Sequence, residues 1–166
     1  MDVTDYEQCG EVISSIIEEF GNIDVLINNA GITRDAVFTK MTKKHWDEVL
    51  TVNLDGMFNT TRHVVENMRE HESGRIVNVS SVNAQKGQFS QANYAASKAG
   101  VYGFTKSLAQ ELMNKNITVN SLSPGYVDTR LMKGIRPDIL DAIIAQIPAK
   151  RLAQTQEIAW AVEFLI

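Results

Sequence analysis

The sequence predicts an α/β fold: a single doubly wound parallel sheet in three α/β/α layers, present only in part. Three observations predict it. Short apolar runs at 23–28, 75–80 and 117–122 each lead into a loop rather than a hairpin, which is how buried parallel strands read. Long helical patterns separate these runs, the rhythm of crossover helices laid over a sheet. Each strand also finishes in polar or turn residues, at the edge where such sheets place their ligands.

The elements follow in order. Residues 5–20 place Val12, Ile13, Ile16, Ile17 and Phe20 on one helical stripe, which Gly21 ends. The first strand is Ile23-Asp24-Val25-Leu26-Ile27-Asn28. Thr42 suits the N-cap of a helix through Trp46, Val49 and Leu50 and on towards Met68. The second strand is Arg75-Ile76-Val77-Asn78-Val79-Ser80 and the third Ile117-Thr118-Val119-Asn120-Ser121-Leu122. A long helix over 91–115 lies between them, and shorter helices cover 137–147 and 155–166, with Pro148 breaking the pattern. No internal repeat or low-complexity linker divides the chain, so residues 1–166 read as one domain.

A nucleotide-binding sheet of this kind opens with a strand, a glycine-rich turn and a helix. No Gly-x-Gly-x-x-Gly or Gly-x-x-x-Gly-x-Gly occurs here. The expectation is a Rossmann-like sheet cut at both ends, lacking the N-terminal glycine-rich βαβ unit and the last strand. Such a chain should bind a dinucleotide poorly by itself and expose the edge of the 23–28 strand.

Composition narrows the classes of function. The 166 residues are 44% hydrophobic and 22% charged, with a net charge of −4. That disfavours nucleic acid or an anionic membrane as the main partner. Cys9 is the single cysteine, so no internal disulfide is possible and a reducing, cytoplasmic setting is expected. The start, Met1-Asp2-Val3-Thr4-Asp5, is acidic and is not a signal peptide. No run of 18 apolar residues predicts a membrane span. His45, His63 and His71 lack ligand spacing, so no metal is expected.

The chemistry centres on Tyr94-Ala95-Ala96-Ser97-Lys98. Residues four apart share a helix face, and an ammonium beside a phenol is expected to lower the phenol's pKa and make it a usable acid near neutrality. Ser81 follows a strand, where its hydroxyl can reach a substrate carbonyl. Asn53, in Thr51-Val52-Asn53-Leu54, is a poor residue for a helix interior and hints at a task. Asn28-Asn29-Ala30-Gly31 and Pro124-Gly125-Tyr126-Val127-Asp128-Thr129 end two strands with amides and glycines that can line a crevice.

In order and spacing these motifs resemble the short-chain dehydrogenase/reductase family over essentially the whole chain. The thirteen-residue step from Ser81 to Tyr94 is the family's spacing. The resemblance implies a nicotinamide-dependent oxidoreductase with catalytic residues Asn53, Ser81, Tyr94 and Lys98. Tyr94 would be the general acid, Ser81 would polarise the carbonyl, Lys98 would bind nicotinamide ribose hydroxyls and acidify the tyrosine, and Asn53 would hold a water linking Lys98 to solvent. It further implies cofactor contacts from Asp2, Val3, Asn29, Ala30, Gly31, Tyr94, Lys98, Pro124, Gly125, Val127 and Thr129.

Two subfamilies are similar. One reduces acetoacetyl-CoA to 3-hydroxybutyryl-CoA for polyhydroxybutyrate storage; the other reduces β-ketoacyl groups on acyl carrier protein in fatty-acid synthesis. The run Asn83-Ala84-Gln85-Lys86-Gly87-Gln88-Phe89-Ser90-Gln91-Ala92-Asn93-Tyr94 resembles the first, as do Pro124-Gly125-Tyr126 and the segment from Ile135 to Leu152, while Ala92-Asn93-Tyr94-Ala95-Ala96-Ser97-Lys98 resembles the second. The former implies substrate contacts from Ser81, Gln88, Phe89, Gln91 and Tyr126, with amides bonding the thioester and keto oxygens and aromatic rings packing a short acyl chain. NADPH is the implied cofactor, with NADH left open because the segment that decides between them is absent. Residues 128–148 are expected to form a mobile lid. The 91–115 helix, apolar around much of its girth, reads as a buried or partner-facing helix. The resemblance implies a homodimer or tetramer that packs it against its copy, and core packing within one subunit is the rival reading. A non-catalytic nucleotide-binding scaffold and an inactive fragment are the competing readings.

Overall fold

The computed structural model describes residues 1–130, 132 and 134–166. Leu131 and Lys133, both in the segment expected to form a lid, lie outside the described residues. Helix α1 (Tyr6–Phe20) leads to strand β1 (Val25–Asn28), followed by α2 (Lys43–Leu50), α3 (Gly56–Glu70) and β2 (Gly74–Val79). A short helix α4 (Asn83–Lys86) precedes the long α5 (Ala92–Leu112), then come β3 (Ile117–Leu122), α6 (Pro137–Gln146) and α7 (Thr155–Leu165). The strands form one parallel sheet in the order β1-β2-β3. Leu26 lies beside Ile76 and Ile76 beside Val119 across the sheet.

Local chemistry explains where elements begin and end. The Asp5 carboxylate accepts from the Gln8 N–H at 3.0 Å and caps α1. The helix ends where Gly21 adopts φ +86°, a conformation that costs glycine little, and its N–H bonds the Ile17 carbonyl. Thr42 caps α2 by accepting from the His45 N–H at 3.1 Å. The register of the 23–28 run starts at Val25, with the Asp24 carbonyl accepting from the Arg75 N–H at 2.9 Å, while the Ile23 N–H goes to the Asn67 side chain at 3.0 Å.

The helix expected from Thr42 towards Met68 is not uniform. Residues Thr51–Asp55 form a π-helical turn, in which the Gly56 N–H reaches back to the Thr51 carbonyl. One extra residue per turn lets Asn53 point out of the helical ladder, a frequent device at functional positions. Helix α5 stops at Leu112, and the tail of the expected 91–115 helix is a tight turn, Met113–Lys115, ended by Asn116 at φ +54°. Helix α4 and a turn at Phe38–Lys40 are too short to show periodicity, and the sequence does not announce them.

Ile13, Val64, Val65, Met68, Ile76, Leu112, Ile117 and Val119 form the core where α1, α3 and the end of α5 meet β2 and β3. Val3 packs against Gly56, where a Cβ would stand 2.7 Å from the Val3 Cγ2. A polar ladder runs through the interior beside this core. The Asn28 amide donates to Thr61 (3.0 Å) and Asn78 (2.8 Å) and accepts from Thr60 (2.6 Å), while Asn78 donates to Thr105 (3.0 Å). All five are buried, and each link is satisfied, so the ladder ties β1 and β2 to α3 and α5 at one register. Strand β1 is an edge, and its Val25 and Ile27 are exposed. Among the described residues no helix is long and apolar enough to cross a membrane.

Candidate active site

The carboxyl ends of the three strands open into one cleft of about 620 Å³. Of the residues expected to act there, Asn29, Gly31, Ser81, Gln88, Gln91, Tyr94, Lys98, Pro124, Gly125, Tyr126, Val127 and Thr129 line it. Ser81 and Tyr94 thus share a wall, as a common ketone would require. Asp2 and Val3 lie outside this lining, Asp2 bonded to Thr4 and Val3 against Gly56 at the start of α3, and Ala30 is also outside it. Phe89 is 82% exposed and does not line the cleft, so its ring forms no wall for an acyl chain in this arrangement.

Several contacts hold the central groups. Helix α5 carries Tyr94 and Lys98, and its start is held by Asn93, fully buried, whose amide donates to the carbonyls of Arg34 and His45 at 3.0 Å each. The Ser80 hydroxyl grips the Lys98 carbonyl at 2.7 Å and so ties β2 to α5. Asn53 is buried and faces the loop after β1. Its oxygen accepts from the Ile32 N–H at 2.8 Å, while its amide donates to the Ile32 carbonyl and the Ser97 hydroxyl at 3.1 Å each. These bonds make Asn53 a brace for the Gly31–Ile32 backbone. Its expected role as a water holder rests on the resemblance alone.

The electrostatics require a correction. The sequence predicts that the Lys98 ammonium lowers the Tyr94 pKa. In the folded chain burial dominates and raises it; a hydrogen bond with Ser81 pulls the other way, and the Asp35 carboxylate adds to the rise. The Lys98 nitrogen stands 5.9 Å from the centre of the Tyr94 ring and spends a hydrogen bond on the Val79 carbonyl at 2.7 Å. Burial also disfavours the Lys98 charge, pushing its pKa down to about 8. Burial therefore biases the pair toward neutral phenol and a more readily deprotonated amine.

The cleft fits a ribose. A Cβ on Gly31 would lie 3.4 Å from the Asn53 oxygen and 3.5 Å from the Lys98 nitrogen, so the missing side chain leaves backbone beside an ammonium with N–H groups to spare. Nothing lies within 4 Å of where a Cβ on Gly125 would be, which keeps the opposite wall open. Val127 bridges to Ala153, and the Asp128 N–H bonds the Ala153 carbonyl at 2.8 Å, fixing the loop after β3 against the approach to α7.

Other residues here are not singled out by the sequence. Asp35, Met132, Ile135, Ile143 and Ile158 line the cleft but are scattered over four segments. Asn78 carried a signal, an amide in the middle of an otherwise apolar strand, where such residues are disfavoured. The histidines serve the scaffold: His45 in the α2 cap, His63 against the Tyr6 ring at 4.4 Å, and His71 on the Asn67 carbonyl at 2.8 Å.

A crossover sheet with these groups at its carboxyl edge has the form of a dinucleotide-dependent oxidoreductase. The chain belongs to the short chain dehydrogenase family, whose model matches residues 1–140. It is 53% identical over 157 residues to an acetoacetyl-CoA reductase of Cupriavidus necator, covering 95% of this chain and 64% of that protein. It is 50% identical over 164 residues to nodulation protein G of Azospirillum brasilense, covering 99% and 67%. With a 3-oxoacyl-(acyl-carrier-protein) reductase of Vibrio cholerae it shares 43% identity over 165 residues, covering 99% and 68%. The chain spans about two thirds of the length of these curated relatives.

Proposed function

We propose that this chain carries the substrate-orienting and proton-transfer part of a reductase for β-ketoacyl thioesters, acting on acetoacetyl-CoA to give 3-hydroxybutyryl-CoA. The observation that carries the reading is the shared wall of Ser81 and Tyr94, with Lys98 one helical turn behind Tyr94. A nicotinamide dinucleotide, proposed as NADPH, would supply a hydride to the β-carbon when bound. Lys98 and the Asn29–Gly31 backbone would hold its ribose, with Pro124, Gly125, Val127 and Thr129 along the facing wall.

The protein's own residues do the rest. The Ser81 hydroxyl donates to the keto oxygen and orients it. Negative charge grows on that oxygen as its carbon is reduced, and Tyr94 gives up its phenolic proton there, so ketone becomes alcohol. Burial keeps the phenol protonated, so its proton is in place to be given, although the raised pKa makes it a weaker acid than the sequence alone predicts. Lys98, one turn along the same helix, would return a proton to the phenolate afterwards. A positioned general acid contributes about 10²–10⁴-fold. Gln88 and Tyr126, joined by a 3.4 Å hydrogen bond, stand on the same cleft and would meet the thioester.

The acetoacetyl-CoA reductases at 50–53% identity support the CoA thioester, the nodulation protein at 50% names no substrate, and the relative at 43% identity supports the carrier-protein thioester as the second reading. The groove between α3 and α5, lined by Phe58, Val65, Phe104 and Leu108, supports a homo-oligomer packed through these helices. The test of the activity follows nicotinamide absorbance in the full-length protein, with acetoacetyl-CoA and a carrier-linked acetoacetyl group side by side. Tyr94→Phe is expected to lower turnover about 10²–10⁴-fold. No turnover in the wild type, or an unchanged rate in Tyr94→Phe, would overturn the reading.

A further inference from the structure

We propose that Asp35, Gln91 and Asn83 form a positioning relay for Ser81, in which the carboxylate of Asp35 sets the direction of the two side-chain hydrogen bonds and so holds Asn83, whose backbone N–H donates to Ser81. This inference rests on the reductase reading above and adds residues to it. The Gln91 amide donates to the Asp35 carboxylate at 2.9 Å. The Gln91 oxygen accepts from the Asn83 amide at 3.0 Å. The Asn83 backbone N–H then donates to the Ser81 hydroxyl oxygen at 3.1 Å. Three segments are thereby joined: the loop after β1, the start of α5 three residues before Tyr94, and the turn that carries Ser81.

The direction follows from donor chemistry. A carboxylate only accepts, so the Gln91 NH2 must face Asp35 and the Gln91 oxygen must face Asn83. That oxygen in turn requires the Asn83 NH2. Flipping either amide would set two acceptors against each other. The arrangement even leaves the Asn83 oxygen buried without a partner among the described residues, a cost that a freely rotating amide would avoid. For Ser81 the outcome is specific. One lone pair of its oxygen is occupied by a main-chain donor, which helps aim the hydroxyl proton into the cleft.

Backbone contacts brace the relay. The Ala36 N–H bonds the Ser90 carbonyl at 2.9 Å, and the Gln91 N–H bonds that of Gln88 at 3.1 Å. Each end of the Gln91 amide makes one internal bond, so Gln91 acts on the position of Ser81 relative to Tyr94 in addition to the substrate contact that the resemblance implies, for which its second N–H and lone pair remain. The same Asp35 carboxylate bears on Tyr94 electrostatically, since it helps hold that phenol protonated.

Reciprocal substitution in the full-length protein tests the relay. Gln91→Glu sets two carboxylates face to face, and kcat for acetoacetyl-CoA should fall about 10–100-fold with KM little changed, the signature of misplaced groups. Adding Asp35→Asn places a donor opposite the new carboxylate, whose second oxygen still accepts from Asn83, so the double variant should recover most of the lost kcat. Asp35→Asn alone should move the Tyr94-dependent limb of the pH profile to lower pH. Wild-type kcat in Gln91→Glu, a double variant no better than the single, or a raised KM at constant kcat would each overturn the relay. A second measurement needs no turnover, so failure of the reductase reading can be told apart. In Asp35→Ala the Asn83 side-chain amide protons should exchange with solvent faster, although Asp35 does not touch Asn83; unchanged exchange there would also overturn it.

Discussion

The floor and the roof of the cleft are built differently. The floor is the end of β2, the start of α5 and the braced loop after β1. Asn53, Ser81, Asn93, Ser97 and Lys98 there are all buried, each held by a hydrogen bond to another segment or to the next turn. The roof is α6 and α7, which have no fully buried residue. Ile143 and Ile158 reach the cleft from these helices, while Trp160 and Phe164 stand 60% and 89% exposed. Proton transfer, the role proposed for this floor, tolerates little misplacement and suits groups whose position polar contacts over-determine. A wall that meets an acyl chain can rest on a few apolar contacts and adjust, as elements that close over ligands do.

Three measurements break or sharpen this contrast. The largest effect is expected in the core beneath the floor. Ile76 is fully buried between β1 and β3, so Ile76→Ala should cost about 2–5 kcal/mol in denaturant unfolding. A loss below about 1 kcal/mol would mean that the sheet is not the rigid base described.

The second reads the floor's electrostatics. Lys98 has an ordinary pKa of 10.5 and a folded value of about 8. Below pH 8 the folded chain carries a buried ammonium that the unfolded chain solvates better. Between pH 8 and 10.5 the unfolded state binds more protons, so stability rises with pH across that window. Fully realised, the gain is about 3 kcal/mol. Tyr94 works against it above pH 10, because its folded pKa is raised and the unfolded chain ionises first. Unfolding free energies measured from about pH 8 to 10 should climb more in the wild type than in Lys98→Met, which keeps only the opposing pull of groups such as the Cys9 thiol, whose pKa burial raises. Parallel curves would remove the buried ammonium from the account.

The smallest stability effect belongs to the roof. Ile143 is only half-buried, so Ile143→Ala should change stability by less than about 1 kcal/mol while raising KM for acetoacetyl-CoA several-fold. A large loss of stability with KM untouched would make α6 part of the base.

The strand runs, the stripe of α1 and the polar ends of the strands were legible because each is a local pattern of period or punctuation. Tyr94, Lys98 and Ser81 were legible for a related reason: one helical turn joins the first two, and the third sits at a strand end. Asn53 was visible as a misfit within a helical run. The π-helical turn that makes room for it was not, since it is fixed by Asn53 bonding Ile32 across the fold. Asp35, Asn83 and the Asn28–Asn78 ladder also escaped, because their partners lie 8 to 56 residues away in the chain and no spacing rule reaches that far.

What the sequence by itself determined was the order of elements and the placing of Tyr94, Lys98 and Ser81, the candidates for the acid, the lysine and the hydroxyl, since these positions depend on neighbours within a turn or a strand. Only the tertiary structure decided the charge balance of the site. Whether Tyr94 is raised or lowered depends on how deeply it is buried and on how far the Lys98 ammonium stands from its ring, and desolvation outweighs an ammonium that has spent a hydrogen bond on Val79. Burial and through-space distance belong to the packed chain, and no run of letters carries them.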